Sequence, residues 1–239
     1  MTGDYTAAAA SHEQALDLYR SLGHANGEAT ALSGLGLVQW AGADYRQAST
    51  NLGEALELSR RVGNKIGEAN ALNYLGSVQY SMGNYAGAAA SQERALQLYR
   101  ELGSRHGEAN ALNDLGNIQR ATADYVAAAG NLIQALALYQ QVGDQVGEAE
   151  ALNNMGALKL SAGTFADARA CHERALAITA GVSPLEEAQA LEGLGRCDLR
   201  NGQVEQGKAL LHQALVIYKQ IRSLNSHQVE ITLREHEGS

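Results

Sequence analysis

The chain repeats itself at a fixed interval. Residues 67–85 read GEANALNYLGSVQYSMGNY and residues 107–125 read GEANALNDLGNIQRATADY. The same frame returns as GEATALSGLGLVQWAGADY at 27–45 and GEAEALNNMGALKLSAGTF at 147–165, a step of 40 residues each time. A fifth copy, EEAQALEGLGRCDLRNGQV, ends at Val204, one residue early; the deletion falls between Ala180 and Glu186, beside the only proline, Pro184. Between copies lies a second segment, DYRQASTNLGEALELSRRVG, NYAGAAASQERALQLYRELG or DYVAAAGNLIQALALYQQVG, and the chain opens with its counterpart DYTAAAASHEQALDLYRSLG at 4–23. A period of this length marks an array of small units, none able to bury its apolar face alone, so neighbours must stack to make a core.

Both halves of the unit carry apolar residues at helical spacing; Ala88, Ala95, Leu96 and Tyr99 line one stripe of the second half. Asp4, Asp44, Asn84, Asp124 and Thr164 precede that helix, where a side-chain oxygen accepts from an orphan N–H of the first turn. Gly23, Gly63, Gly103 and Gly143 follow it, at the position that favours a left-handed backbone. The expected unit is a helix A of about 15 residues, a tight turn, a helix B of about 18 and a short loop. Gly36, Gly76, Gly116, Gly156 and Gly195 recur inside helix A, and Ala55, Ala95, Ala135, Ala175 and Ala214 inside helix B. A glycine in mid-helix costs roughly 1 kcal/mol relative to alanine, so its recurrence predicts a gap too narrow for a Cβ.

These features predict an all-α, right-handed α-solenoid of about five and a half helix-turn-helix repeats. Its expected extent is one array over 1–223: helix B alone at 4–22, then repeats at about 25–63, 65–103, 105–143, 145–181 and 184–223. Residues 224–239 leave the repeat, and Val229, Ile231 and Leu233 alternate there; the tail is read as a cap on the last helix B or as disordered.

The pattern of Leu75-Gly76, Ala88 and Ala95 resembles the tetratricopeptide repeat, most closely the 40-residue variety of spindle-orientation adaptors, kinesin light chains and the C-terminal arrays of bacterial STAND-type ATPase regulators. The large aromatic early in helix A and the proline closing helix B of the 34-residue consensus are missing, and longer helices with glycine-ended loops stand in for them. The resemblance implies a protein-interaction module whose A helices hold a partner peptide or helix along a concave groove. In the regulator setting it is the sensor part of a larger bacterial signalling or transcription-regulating protein. The start in mid-repeat reads as an excised array or a short stand-alone relative. A small-molecule or signal-peptide inducer sensor is the alternative.

Composition narrows the function. A net charge of −8 argues against direct nucleic-acid binding, and no apolar run is long enough to span a bilayer. Two cysteines, Cys171 and Cys197, fit a reducing, cytoplasmic setting better than a disulfide framework. The excess of Arg (14) over Lys (4) fits a GC-rich bacterial genome.

Counting from the Leu-Gly pair projects five columns onto the groove. They give Thr30, Ser33, Leu37, Trp40 and Ala41 in the first copy, and Asn70, Asn73, Ser77, Tyr80 and Ser81 in the second. The third copy gives Asn110, Asn113, Asn117, Arg120 and Ala121; the fourth Glu150, Asn153, Ala157, Leu160 and Ser161; the fifth Gln189, Glu192, Arg196, Leu199 and Arg200. An asparagine offers a donor and an acceptor, so Asn70 with Asn110, Asn73 with Asn113 and Asn153, and Asn117 are candidates to pair with a peptide backbone, or else to link adjacent repeats. Trp40 and Tyr80 share a column and are the candidate aromatic anchor, or else pack against a neighbouring helix B. Arg120, Arg196 and Arg200 are candidates for an acidic side chain or a carboxy terminus, or else for surface pairing with Glu150 or Glu192.

Other motifs carry no chemistry. Gly202 to Lys208 mimics a phosphate loop, but Ala209 stands where a metal-binding hydroxyl is needed and no strand precedes it. His12 and His172 share a helix-B column without metal spacing, and Glu186 and Glu187 suit a helix start. The expectation is no enzyme activity, no cofactor and no metal, with weak self-association through exposed terminal helices, notably 4–22.

Overall fold

The structure, a computed structural model, describes residues 5–236, with the side chain of Tyr5 left aside. It falls into two compact units, Asp4–Thr122 and Ala123–Ser239, whose boundary lies inside the 105–143 span. Among the described residues every regular element is a helix. The first unit holds α1 (Tyr5–Ser21), α2 (Ala25–Ala41), α3 (Tyr45–Val62), α4 (Lys65–Ser81), α5 (Tyr85–Leu102) and α6 (Arg105–Ala121). The second holds α7 (Tyr125–Val142), α8 (Gln145–Ser161), α9 (Phe165–Thr179), α10 (Pro184–Arg200), α11 (Val204–Gln220) and α12 (Asn225–Glu235). Within each unit successive helices pack pairwise. The A helices α2, α4 and α6 also meet one another in turn, as do α8 and α10, so each unit is built hairpin on hairpin.

Helix ends follow the local chemistry. Asp44, Asn84 and Asp124 cap B helices by accepting from the N–H three residues on. Asp4 lies outside the described residues. Thr164 departs from the expectation: its hydroxyl donates back to the Lys159 carbonyl at 3.2 Å and makes no cap bond. The A helices have caps of their own, with His24, Asn64, Ser104 and Asp144 accepting from Gly27, Gly67, Gly107 and Gly147. Gly23, Gly63, Gly103 and Gly143 take φ of 63–73°, as a left-handed terminus requires. At the A-to-B turn Gly83 and Gly163 do the same, yet Ala43 and Ala123 occupy that turn with φ of 63°, where a Cβ is strained.

The narrow gap at the mid-helix glycines is real, and one helix-B column fills it. A Cβ on Gly36 would come within 2.6 Å of Leu52 Cγ, and one on Gly76 within 2.8 Å of Gln92 Nε2. The His172 ring stands against Gly156 in the same way. Between α10 and α11 the backbones themselves meet: a Cβ on Gly195 would lie 2.9 Å from the Gly207 carbonyl oxygen. Around these contacts the core is alanine and leucine, with Ala48, Ala55, Ala88, Ala95, Ala128 and Ala135 fully buried. Residues past the last repeat form α12, whose Val229 and Leu233, four apart on one helical face, bury against Leu211, Ala214 and Tyr218 of α11. The tail therefore caps the second unit over the described residues.

Candidate partner-binding face

In the first unit α2, α4 and α6 present the projected columns side by side. Thr30 is exposed, and Asn70, Asn110, Asn117, Tyr80 and Arg120 are half-buried. Asn70 is already oriented, its side-chain oxygen accepting from the Tyr99 hydroxyl at 2.8 Å. A cavity of about 240 Å³ opens here, lined by His12, Thr30, Ser33, Leu37, Asn70 and Tyr74 among others.

One column departs from the expectation. Asn73, Asn113 and Asn153 are buried, at 6%, 1% and 4% exposure. Asn73 Nδ2 donates to Gln92 Oε1 at 2.8 Å and to Asp114 Oδ2 at 3.2 Å, joining α4 to α5 and α6. Asn153 Nδ2 donates to the carbonyl and to Oε2 of Glu186, both at 3.1 Å, joining α8 to α10, while its Oδ1 faces His172 Nδ1 at 3.2 Å. Asn73 and Asn153 link adjacent repeats, and their amides are engaged inside the chain. The column count gives the direction of a side chain; it does not register that the next helix reaches over it.

The aromatic pair is also divided. Trp40, 36% exposed, donates from its indole N–H to Ser81 Oγ at 2.9 Å, and Tyr80 rests against Tyr85 with ring centroids 5.6 Å apart. Among the described residues the Trp40 and Tyr80 rings make no contact with each other. Of the arginines, Arg196 pairs with Glu192 at 2.8 Å, and Arg200 is exposed. Arg120 makes no ion pair among the described residues, and its Nε is sealed without a partner.

Two buried polar nodes were missed by reading the sequence. In the first unit the carboxylate of Asp114 receives Gln92 Nε2 at 2.6 Å, Ser77 Oγ at 3.1 Å and Asn73 Nδ2, all on Oδ2. Burial pushes this carboxyl up to about 6, against the downward pull of those three hydrogen bonds. In the second unit burial pushes His172 down to about 4, so the ring stays neutral; its Nε2 has no partner among the described residues. The signal was present in two columns, His12/Leu52/Gln92/Leu132/His172 and Gly34/Tyr74/Asp114/Asn154/Gly193. Asp114 is the only acid in the second, and histidine in the first always meets glycine in the second. The His12 ring lies against Gly34 and the His172 ring against Gly193.

Family models described as tetratricopeptide repeat match residues 1–61, 67–141 and 149–182. The chain belongs to the tetratricopeptide repeat family. No curated protein matches it in sequence. Among solved structures, BtubC (BKLC) from P. vanneervenii superposes with a TM-score of 0.72 at 22% identity, covering 92% of each chain. NprR in complex with its cognate peptide NprX gives a TM-score of 0.76 at 15% identity, over 92% of this chain and 66% of that one. A Rap protein complexed with competence and sporulation factor gives 0.76 at 16%, over 88% and 65%. At these identities the likeness is one of fold. Tetratricopeptide arrays are interaction scaffolds, and no helix among the described residues is long and apolar enough to cross a membrane.

Proposed function

We propose that the protein binds an extended or helical segment of a partner polypeptide along α2, α4 and α6, as the regulatory or sensor part of a larger bacterial signalling or transcription-regulating protein. The observation that carries this reading is the set of half-buried amides on two neighbouring A helices, Asn70 on α4 and Asn110 with Asn117 on α6, with Asn70 also lining the 240 Å³ cavity. Amides held in place by neighbours, as Asn70 is by Tyr99, meet a peptide backbone without a large ordering cost. Tyr80, Trp40 and Arg120 supply side-chain selectivity at the edges. The NprR complex with its peptide, on the same fold, supports the choice of ligand class.

The size of the cavity beside Asn70 favours a polypeptide ligand over a small-molecule inducer. Ligand pockets run to about 300–1,000 Å³ and enclose most of their ligand. A cavity of 240 Å³ suits one side chain of a longer ligand. The two cysteines, both free and buried, are consistent with a cytoplasmic setting. Panning a random dodecapeptide library against the protein tests the reading. Enriched peptides are expected to lose about tenfold or more in affinity for Asn70→Ala combined with Asn110→Ala, measured well below the melting temperature of the double variant, where it is folded. Enrichment of no peptide, or equal binding to the double variant, contradicts it.

A further inference from the structure

Asp114 is a carboxylate with one oxygen fully engaged and the other left open. Gln92 Nε2, Ser77 Oγ and Asn73 Nδ2 converge on Oδ2, whereas Oδ1 has no partner among the described residues and is not among the sealed polar atoms. Among the described residues the carboxylate makes no ion pair, and the groups that bear on it are neutral: Asn73 and Ser77 from α4, Gln92 and Tyr99 from α5, with Tyr74 of α4 beyond Tyr99. Other carboxylates near this face are ion-paired, as Glu28, Glu68 and Glu108 are with Arg20, Arg60 and Arg100, whereas buried Glu186 of the second unit, like Asp114, is held by an amide. An acid fixed by three donors and left without a counter-charge, in the helix that carries Asn110, Asn117 and Arg120, is arranged to receive a positive group from outside.

We infer that Asp114 is a specificity-determining residue of the binding face and that its free oxygen receives a cationic group of the partner segment, a basic side chain or an N-terminal ammonium. The inference rests on the peptide-binding reading above and adds the charge that the ligand must carry. Because the three donors orient the carboxylate before the ligand arrives, the charge-assisted bond forms without rearranging the site. Protonation of the carboxyl, which titrates near 6, removes the attraction in mildly acidic solution.

The test uses three probes drawn from the panned dodecapeptides: each peptide as selected, with its basic residues changed to glutamine, and with its amino terminus acetylated. At pH 7.5 the parent protein is expected to bind the cationic form about tenfold tighter than the neutral one, the lysine or acetyl arm telling which cation is read. Asp114→Asn keeps an oxygen for the three donors and turns an N–H₂ outward, so it folds and loses the preference; at pH 5 the parent loses it too. Peptides that bind without a charge preference, or a preference that Asp114→Asn retains, overturn this inference and leave the peptide-binding reading standing. Failure of every peptide to bind overturns both.

Discussion

The two units place their polar nodes in the same columns and fill them with opposite chemistry. In the first, Asn73 meets Gln92 and a carboxylate, Asp114. In the second, Asn153 meets His172, and the position of Asp114 belongs to Gly193, whose missing side chain makes room for the imidazole. A shared backbone frame thus accepts either an amide with an acid or a ring with a glycine, provided the two positions change together. Volume and hydrogen bonding are set by the pair, not by either residue.

Grafting one node into the other unit is the harshest way to break that comparison. Gly193→Asp drives a Cβ into the His172 ring and is expected to cost about 3 kcal/mol in denaturant unfolding. Adding His172→Gln, which rebuilds the pairing of the first unit, is expected to restore at least half of that loss. Additive losses in the double variant would show that the columns are independent.

Acid response separates His172 from Asp114 next, with opposite signs. His172 has a folded-state value of about 4 against the ordinary 6.5, so protons favour the unfolded chain; its contribution is complete above pH 6.5 and is lost as the pH falls through 4, about 3 kcal/mol in all. Asp114 has a folded-state value of about 6 against 3.8, so its contribution is complete below 3.8 and is lost as the pH rises through 6, again about 3 kcal/mol. His172→Leu, the residue found at Leu52 and Leu132 in that column, is therefore expected to raise stability at pH 4 relative to pH 7 when compared with the parent, and Asp114→Asn to lower it. Urea unfolding across that range checks both; shifts of the same sign would refute the assignment.

The smallest effect concerns the A-to-B turns. Ala43 and Ala123 hold the left-handed backbone that Gly83 and Gly163 take elsewhere. Ala123→Gly is expected to stabilise by about 0.5–1 kcal/mol, and Gly163→Ala to destabilise by a similar amount or more, read from thermal melts.

These cases show what the sequence made legible. A 40-residue period, glycines after each helix B and capping residues before it are local signals, and the helices follow from them. The glycines inside helix A were readable as a close approach, because only a steric need explains their cost. What reached in was not: Leu52, Gln92 and His172 come from the next helix, and the periodicity does not say which rotamer fills the slot. Asn73 failed as an open-face residue for the same reason, since Asp114, 41 residues away, closes over it. Thr164 failed on chemistry, its hydroxyl having a nearer acceptor in Lys159. Asn70 and Arg120 stay half-buried in their columns, although Tyr99 of α5 reaches the Asn70 side chain.

Hydrogen–deuterium exchange of the protein with and without a panned peptide tests the central claim most directly. Added protection is expected on α2, α4 and α6, with α3 and α5 unchanged beyond their contacts with those helices. Protection confined to the B helices would place the partner on the other face and contradict the account.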